Sequence, residues 1–438
     1  MNIDEMRDLA KEMILEAVKA ADPEKLVRDS IKVEENTIKI AGKKFNRNDY
    51  EEVVVFAIGK ASVAMATGCD KLDPDDGLVI TKSGEEYDEE RCPVKVRKAN
   101  HPYPKEANIE ATNELLSKVK EKENALFVFM VSGGGSALFL SPVEGITLSE
   151  MNTLNKLLVK SGANIHEINA VRKHVSEVKG GRFGDLCSSK GDIVSLIISD
   201  VVGDDLSVIA SGPTYPDDST FEDAERVLKE YDLWEDVPDS IRKHIEEGLK
   251  GNMNDTPTDL NVDNYLIGNN LLALKKGKEI AERNDFDSLI LTSQNEGEGK
   301  VVAKPLSGIA KEIQDSGYPM NPPAAVILGG ETTVRFRSMD AESGMGGPNR
   351  ELVLSGAMEI KNRNNIVFAS VDSDGIDGMD KAGAIADTTT IQNSGLDPKE
   401  HLDRHDSQTF FETIDGNIEF ESRTNVNDIT VILVGEKE

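Results

Sequence analysis

The sequence predicts an α/β protein of two domains. A chain of 438 residues is too long for one ordinary hydrophobic core. Several segments repeat one pattern, in which an apolar run of strand length leads into a turn rich in Gly, Ser or Asp and then into a helix-like stretch. Because these runs are apolar on both faces, they belong in sheets that are covered by helices on each side.

The predicted elements follow one another along the whole chain. The strands begin at Val53, Phe127, Ile193, Asp263, Ser288, Ala324 and Asn365. Helical periodicity lies between them, as in NIEATNELLSKVKEKE and GNNLLALKKGKEIAERN. The N-terminal stretch MNIDEMRDLAKEMILEAVKAA is an amphipathic helix without a signal-peptide core. Since no apolar run is long enough to span a bilayer, we expect a cytoplasmic protein with no membrane partner.

A polar connector separates the two predicted domains. The stretch GLKGNMNDTPTD, residues 248–259, is rich in Gly, Asn, Asp and Pro, which is typical of an exposed linker. We therefore assign residues 1–250 to an N-terminal domain and residues 260–438 to a C-terminal domain.

Composition excludes several classes of function. The formal net charge is −30, whereas a protein that binds nucleic acid presents a cationic surface to the phosphates. An anionic substrate would need local lysines, arginines and backbone N–H groups within this repelling field. The three cysteines are scattered and form no CxxC motif, so neither a disulfide framework nor a zinc site is predicted.

The clearest ligand-site signal is the turn from Ser132 to Ser136, in which Gly133, Gly134 and Gly135 follow a buried strand. Ligands of open α/β sheets bind beyond the carboxyl ends of the strands, where this turn should lie. The turn matches no standard motif, because it lacks the last glycine of GxGxxG and no GxSxG nucleophile elbow surrounds Ser136. The stretch GKAS from Gly59 likewise lacks the first glycine of a P-loop.

Charged residues follow other predicted strands. Lys60 should lie at the start of a helix, where its positive charge is unfavourable next to the positive end of the helix dipole. A lysine that binds an anion explains this position better than a purely structural lysine does. Asp200 and Asp204 follow the strand that begins at Ile193, and they could bind a ligand or cap a helix. Arg350 and Asn349 follow a pair of glycines and open another helix, which also suits an anion.

The turn DSDGIDG contains Asp372, Asp374 and Asp377 directly after a strand. It fails the EF-hand pattern, but such a turn suits Mg²⁺, which takes one or two carboxylates and completes its shell with water and phosphate oxygens. The alternative is a cluster of Asx turns that caps a helix. Glu331 in GGETTV is either a further metal ligand or an exposed turn residue.

The segment INAVRKHVSEVKGGR is basic within an acidic protein. Its cations are Arg172, Lys173, His174, Lys179 and Arg182. They offer a local positive field for an anionic ligand, although a solvated face paired with neighbouring glutamates would account for them equally.

These parts fit phosphoryl transfer better than acyl or hydride transfer. Phosphoryl transfer needs positioning, Mg²⁺, cations that neutralise the phosphates, and a carboxylate that orients the attacking hydroxyl. The sequence combines Gly-Ser turns, a lysine and an arginine at helix starts, and acidic turns, without an activated cysteine or a Ser-His-Asp set.

Nine stretches occur along the chain in this order, AIGKAS, KANHPYP, VSGGGSALF, INAVRKHVSEVKGGR, ISDVVGDD, ASGPTYPD, GGETTV, GGPNRELVLS and DSDGIDGMDKAGAIAD. Through these stretches the chain resembles the glycerate 2-kinase family that carries a C-terminal MOFRL domain. It implies an N-terminal Rossmann-like domain with a mostly parallel sheet covered by helices, a smaller α/β MOFRL domain, and a site in the cleft between them. It further implies that ATP phosphorylates D-glycerate to 2-phospho-D-glycerate with a divalent metal, Mg²⁺ or another.

The resemblance also suggests roles for particular residues. Lys60 corresponds to the lysine at substrate and transferring phosphate, Asp200 to the acid after its strand, and the triple-glycine and Asp372 turns to ligand-site loops. Many relatives read GGRNQE where this chain reads GGPNRE, so the arginine is displaced to Arg350.

We accordingly expect Lys60, Asp200 and Arg350 to be catalytic. Substrate or ATP should contact Ser132, Gly133, Gly134, Gly135, Ser136, Arg172, Asn349 and Asp372, and the metal should be held by Asp204, Asp374, Asp377 and Glu331. A homodimer is expected. Two alternatives stay open, an NAD(P)-dependent hydroxypyruvate reductase and a non-catalytic protein that senses a sugar acid or nucleotide.

Overall fold

The computed structural model describes residues 1–335 and 344–437. These residues form two compact units, Pro23–Ile267 and Met1–Asp22 with Gly268–Glu438. The division lies close to the predicted connector. It differs from the predicted assignment at the N-terminus, because residues 1–22 pack with the C-terminal unit.

The helices and strands alternate along the chain. The helices are α1 (Ile3–Ala20), α2 (Pro23–Ser30), α3 (Ser62–Thr67), α4 (Glu106–Glu121), α5 (Gly135–Leu138), α6 (Leu148–Ser161), α7 (Ile165–His174), α8 (Arg182–Ser188), α9 (Phe221–Glu230), α10 (Asp239–Leu249), α11 (Asn270–Arg283), α12 (Gly299–Ser316), α13 (Pro348–Ile360), α14 (Thr390–Ser394), α15 (Pro398–Asp403) and α16 (Ser407–Thr413). The strands are β1 (Ile31–Glu34), β2 (Thr37–Ile40), β3 (Lys43–Asn46), β4 (Glu52–Ile58), β5 (Asp76–Lys82), β6 (Lys95–Ala99), β7 (Ala125–Val131), β8 (Gly191–Ile198), β9 (Asp263–Gly268), β10 (Asp287–Glu298), β11 (Ala324–Thr333), β12 (Ile366–Asp372), β13 (Gly383–Asp387), β14 (Asn417–Ile418) and β15 (Asp428–Val434).

The unit Pro23–Ile267 is built on a six-stranded sheet of order β6-β5-β4-β7-β8-β9. Neighbouring strands from β6 to β8 run parallel, and β7 is buried along its whole length. Residues of α4 and α8 pack in the same core as the sheet, for example Leu115 and Phe183. The predicted mostly parallel, helix-covered sheet is thereby confirmed. A separate antiparallel sheet of order β1-β2-β3 belongs to the same unit.

The C-terminal unit contains a mixed sheet of order β10-β11-β15-β12-β13-β14. Only the β10–β11 pair is parallel among the pairs whose register is described. Strand β15, DITVILV, lies between β11 and β12 and is buried throughout, which explains its continuous apolar run. The α/β class that we predicted for this domain is confirmed.

Helix α1 packs against α11 and also contacts β12 and β15 of the C-terminal unit, and its buried residues include Met6, Leu9, Met13 and Ile14. Its apolar stripe was visible in the sequence, but the stripe carries no information about its partner. Within the described ranges, no helix is both long and apolar enough to cross a membrane.

Candidate active site

Three turns meet at one edge of the parallel sheet. The last residues of β4, β7 and β8 are paired in register, since Ile58 lies opposite Val131 and Val131 lies opposite Ile197. The turns that follow these strands therefore begin at the same level. This register brings together the Gly59–Lys60 turn, the triple-glycine turn and Asp200.

The triple-glycine turn makes room for side chains of the protein itself. A Cβ atom added to Gly133 would lie 2.0 Å from Oδ2 of Asp200. A Cβ atom added to Gly134 would lie 3.1 Å from Cγ of Lys60 and 3.0 Å from Nε2 of His101, and Gly134 has a φ of +80°. The glycines thus allow an acid, a lysine and a histidine to close in on one short backbone segment.

Ser132 joins the neighbouring turns. Its buried hydroxyl accepts a hydrogen bond from the backbone N–H of Ala61 at 3.1 Å and donates to the carbonyl of Ile58 at 3.3 Å. The backbone N–H of Lys60 also donates to the carbonyl of Gly133 at 2.8 Å. These bonds fix the Lys60 backbone relative to the glycine turn, which is the preorganisation that a catalytic lysine needs.

The Asp200 carboxyl is placed to accept a proton. Burial raises its pKa above the ordinary value, and the charge of Lys60 opposes that rise. Burial also lowers the pKa of His101, and the charges of Lys60 and Lys82 lower it further, so the imidazole is held neutral. The turn therefore presents a cation, a neutral imidazole and a carboxyl of raised basicity within one small region.

A cavity of about 770 Å³ opens beside this turn. The residues that line it include Gly134, Ser136, His101, Arg172 and Lys179, and none of the lining residues is acidic. Lys156 and Lys160 of α6 add two more cations. In a chain of net charge −30, such a lining selects for anions.

Ser136 lies at the centre of a small polar network on the cavity wall. Its hydroxyl lies 2.8 Å from the hydroxyl of Ser211, which in turn donates to Oδ1 of Asn169 at 3.1 Å. Nζ of Lys179 donates to the Ser136 carbonyl at 2.7 Å and to its hydroxyl at 3.2 Å. Ser136, which we predicted to contact a ligand, is thus hydrogen-bonded to a buried lysine.

Asp204 stands apart from these groups. It lies in the loop after β8 with a φ of +59°, and it does not line the cavity. The strand register places Asp200 at the edge of the sheet, whereas Asp204 lies farther along the loop that follows β8.

In the C-terminal unit, the predicted acidic turn follows β12. Asp372 is directly opposite Asp428 in the β12–β15 pair, an arrangement in which like charges repel. Burial raises the pKa of Asp372 well above its usual range, and the carboxylates of Asp374 and Asp428 raise it further. Burial also raises the pKa of Asp428 to about 7.

Asp372 and Asp374 form Asx turns. Oδ1 of Asp372 accepts from the N–H of Asp374, and Oδ1 of Asp374 accepts from the N–H of Ile376, each at 3.0 Å. These bonds match the alternative that we considered for the DSDGIDG turn, and they leave each side chain a second oxygen for a cation.

Asp377 caps α13. Its Oδ1 accepts from the backbone N–H of Asn349 at 2.9 Å, and its Oδ2 accepts from the backbone N–H of Arg350 at 3.0 Å. Burial raises the pKa of Asp377 to about 6, although these bonds and the Arg350 charge lower it. Because both carboxylate oxygens of Asp377 accept backbone hydrogen bonds, this residue is better described as a helix cap than as the metal ligand that we expected.

Arg350, which we expected to be catalytic, is likewise engaged by the protein itself. It is 0% exposed, and its guanidinium donates to the carbonyl of Asp377, to Gln408 and to Asp380. Asn349 is also fully buried and donates to Asp428 at 2.6 Å. Both side chains hold the acidic turn in place, because protein partners occupy the terminal nitrogens of Arg350 and the amide group of Asn349. Nε of Arg350 is buried without a hydrogen-bond partner among the described residues.

Glu331 is exposed and lies within β11 rather than in a turn, and Nδ2 of Asn427 lies 3.5 Å from one of its oxygens. Within residues 1–335 and 344–437, no three carboxylate, imidazole or thiol groups converge as a ready-made metal site. Asp372 and Asp374 nevertheless fit Mg²⁺ by their chemistry, since a divalent cation would relieve the repulsion that raises the Asp372 pKa.

Sequence reasoning missed three residues that the structure brings to these places. His101 lies in the stretch KANHPYP, which contributed to the resemblance but suggested no role. Lys179 was visible only as one member of a basic segment. Asp428 is the first residue of β15 and precedes its apolar run. Its position after a turn was the one available sequence signal that could have identified it.

Comparisons with known proteins give matches over nearly the whole chain. Residues 9–246 match the domain of unknown function DUF4147, and residues 324–428 match the MOFRL family. A glycerate 2-kinase from Pyrococcus horikoshii is 42% identical over 99% of this chain and 98% of its own. A crystal structure of glycerate kinase from Thermotoga maritima aligns with a TM-score of 0.86 at 34% identity and covers 98% of this chain and 100% of that chain. A putative hydroxypyruvate reductase from Agrobacterium vitis is 38% identical over 87% of each chain.

Proposed function

Because the chain belongs to the glycerate 2-kinase family with DUF4147 and MOFRL domains, we propose that it transfers a phosphoryl group from ATP to the 2-hydroxyl of D-glycerate. The observation that carries the proposal is the meeting of Lys60 and Asp200 at the triple-glycine turn, beside a cavity without acidic residues. A cation for the phosphates and a carboxylate for the acceptor hydroxyl are the two groups that this reaction requires.

Asp200 is the proposed base. It orients the 2-hydroxyl and takes its proton as the oxygen attacks the γ-phosphorus, the new P–O bond forms, and the bond to the bridging oxygen of ADP breaks. Its raised pKa makes the carboxylate a better proton acceptor than an exposed aspartate. Asp372, whose pKa is also raised, is the second candidate for this role.

Lys60 is proposed to neutralise the negative charge on the transferring group. Its backbone is tied to Gly133 and its side chain lies against Gly134, so little reorganisation is needed when the phosphoryl group arrives. The N–H groups of the glycine turn and Ser136 are proposed to contact the substrate.

Mg²⁺ would supply charge neutralisation at the phosphate oxygens when bound. Its proposed ligands are Asp374 with Asp372, and Glu331 and Asp204 remain candidates. We propose that Asp377, Asn349 and Arg350 position this turn, since their side chains are buried among protein partners.

The direct test is a reaction of the purified protein with ATP, Mg²⁺ and D-glycerate, followed by ³¹P NMR. The expected product is 2-phosphoglycerate together with ADP, and the spectrum separates it from the 3-phosphate. A 3-phosphate product, or hydrolysis of ATP without phosphoglycerate, would contradict the proposal.

The reductase named for the relative from Agrobacterium vitis is a second candidate. Oxidation of NADH by hydroxypyruvate in the presence of the protein would favour it. We expect no such oxidation, because the chain lacks a dinucleotide-binding fingerprint.

We also propose a cytoplasmic enzyme that acts as a homodimer. Light scattering should then give twice the chain mass of 47.8 kDa, and a mass of one chain at assay concentration would contradict the dimer.

A further inference from the structure

Lys179 is a buried cation on the wall of the cavity. It lies in the connection between α7 and α8 and is only 2% exposed. Its ammonium group donates two hydrogen bonds, both to Ser136, and so retains a third donor. No carboxylate of the described chain lies within ion-pair distance of it. A lysine this deeply buried normally has an anionic partner.

Arg172 supplies a second cation to the same cavity. Its Nε donates to Oδ1 of Asn155 at 2.6 Å, which orients the guanidinium. Its two terminal nitrogens make no bond to the protein among residues 1–335 and 344–437, and it too has no carboxylate partner there. The free edge of an arginine is suited to bind a carboxylate through two parallel hydrogen bonds.

Two cations that share a cavity are unfavourable where no described residue supplies a counter-ion. Burial lowers the pKa of Lys179 to about 7, and the charge of Arg172 lowers it further. An anion bound between the two groups would restore the charged form of the lysine. His101, Lys156 and Lys160, which face the same cavity from the other elements that line it, are basic as well and offer no internal anion.

The chemistry of the lining identifies the kind of anion. A nucleoside triphosphate binds with Mg²⁺, and Mg²⁺ takes carboxylate ligands, yet none of the described residues that line this cavity carries a carboxylate. A carboxylate can accept two parallel hydrogen bonds from the terminal nitrogens of Arg172 and one from the remaining donor of Lys179, which is within its acceptor capacity. Lys156 and Lys160 carry positive charge that would attract such an anion to the cavity.

We propose that Lys179 and Arg172 form the subsite for the carboxylate of glycerate, and that Lys179 takes up a proton when the carboxylate binds. The inference rests on the proposed function, and it adds Lys179 as the residue that restricts the acceptor to hydroxy acids. Neutral polyols of the same length, such as glycerol, lack the group that this pair recognises.

The first experiment compares steady-state kinetics of wild type and Lys179→Met. The variant should raise the KM for D-glycerate about 30-fold or more while kcat changes less than about threefold, because the carboxylate is not the reacting group. The KM for ATP should not change. Lys120→Met replaces an exposed lysine of α4 and should match wild type. A folded Lys179→Met protein with an unchanged KM for D-glycerate would overturn the proposal.

The second experiment does not depend on the variant being active. Titration of wild type with D-glycerate, without ATP, in two buffers of different ionisation enthalpy measures the protons taken up. Near pH 8 the uptake should approach one proton per bound glycerate, and it should fall toward zero near pH 6, since Lys179 is already protonated there.

The other arms of the titration separate the possible outcomes. Glycerol should neither bind nor change protonation, and Lys179→Met should abolish the uptake. Uptake that persists in Lys179→Met, or that accompanies ADP or inorganic phosphate instead of D-glycerate, would overturn the assignment. Glycerate-linked uptake in a protein that forms no phosphoglycerate would refute the proposed kinase while leaving the subsite in place.

Discussion

At Gly133 the position of a Cβ atom is occupied by the Asp200 carboxylate, and at Gly134 the neighbouring space is filled by Lys60 and His101. The absence of two side chains therefore sets the positions of three others. A series of glycines weakens the local backbone through its entropy, and the gain here is a tight array of catalytic candidates.

Gly133→Ala should separate these groups. An added Cβ would lie 2.0 Å from Asp200, so the turn or the carboxylate must shift. We expect a loss of about 1–3 kcal/mol in the free energy of unfolding from overpacking, and a drop in kcat of at least about tenfold. Urea denaturation and steady-state assays measure the two effects.

Gly308→Ala is the matched control. Gly308 lies within α12, and a Cβ atom added there would meet nothing within 4 Å beyond its own stretch of helix backbone. The substitution should therefore raise the free energy of unfolding by about 0.5–1 kcal/mol. If both alanines had the same small effect, close approach at Gly133 would not be important.

Lys60→Met should reduce kcat about 100- to 1000-fold, since a charge that stabilises the transition state is lost. The side chain is only half-buried, so the melting temperature should change little. Steady-state kinetics and differential scanning fluorimetry test both statements, with Lys120→Met as the control. A kcat within about threefold of wild type would remove Lys60 from the catalytic group.

At the scale of elements, α7 is fixed to the loops beyond it by a buried ion pair. Nζ of Lys173 lies 2.8 Å from Oδ1 of Asp217, and both residues are about 5% exposed or less. Ser219 and Thr256 donate to the other oxygen of Asp217, each at 2.7 Å. This pair holds the helix that carries Arg172 into the cavity.

Lys173→Met should destabilise the protein by about 3–5 kcal/mol, because the Asp217 charge would stay buried without its partner. Chemical denaturation followed by the fluorescence of Trp234, the single tryptophan, reports on this unit. Lys250→Met, at an exposed pair with Glu247, should leave the midpoint unchanged. Equal midpoints for the two variants would contradict the assigned role of the pair.

The pH dependence of this pair has a defined sign. Burial pushes the pKa of Asp217 upward, but the hydrogen bonds of Lys173, Ser219 and Thr256 and the charge of Lys173 together outweigh it, so the folded pKa lies below the ordinary value. The pair therefore contributes stability above about pH 4, which is lost as the pH falls through the folded pKa. In Lys173→Met this acid-side loss should diminish in denaturation curves recorded between about pH 5 and 2.

The acidic turn after β12 should show the opposite dependence. The folded pKa of Asp428 is raised to about 7, so the folded state retains a proton that the unfolded chain releases, and stability falls as the pH rises from about 4 to 7. Mg²⁺ should raise the melting temperature more near pH 8 than near pH 6. Asp374→Asn should weaken the effect, and an equal Mg²⁺ shift in the variant would exclude Asp374 as a ligand.

At the scale of the whole molecule, the chain begins in one unit, continues through the second and returns to the first. Met13→Ala on α1 should destabilise the C-terminal unit by about 2–5 kcal/mol, since Met13 is fully buried. The transition seen by far-UV circular dichroism should then begin earlier, while that of Trp234 fluorescence stays in place. Glu12→Ala, at an exposed position of α1, is the control. An equal shift of both probes would mean that α1 does not act on one unit alone.

The class of fold was predictable from the amino acids alone, and so were the turns that the structure brings to the edge of the parallel sheet. Strands such as FVFMV and IVSLII are apolar on both faces, and this pattern depends only on neighbouring residues and on burial by helices. The turn that contains Gly133 was identified for the same reason, because a local run of glycines after a strand has few structural uses.

Which side chains meet was decided only by the tertiary structure. Strand order and register bring Asp200 to Gly133 and oppose Asp372 to Asp428, although neither pair is close in the sequence. Arg350 is buried and donates a hydrogen bond to the carbonyl of Asp377. Lys179 is buried on a cavity wall whose described residues include no carboxylate. Periodicity shows which face of an element is apolar, whereas the partner of that face and the solvation of a charge depend on contacts between distant segments.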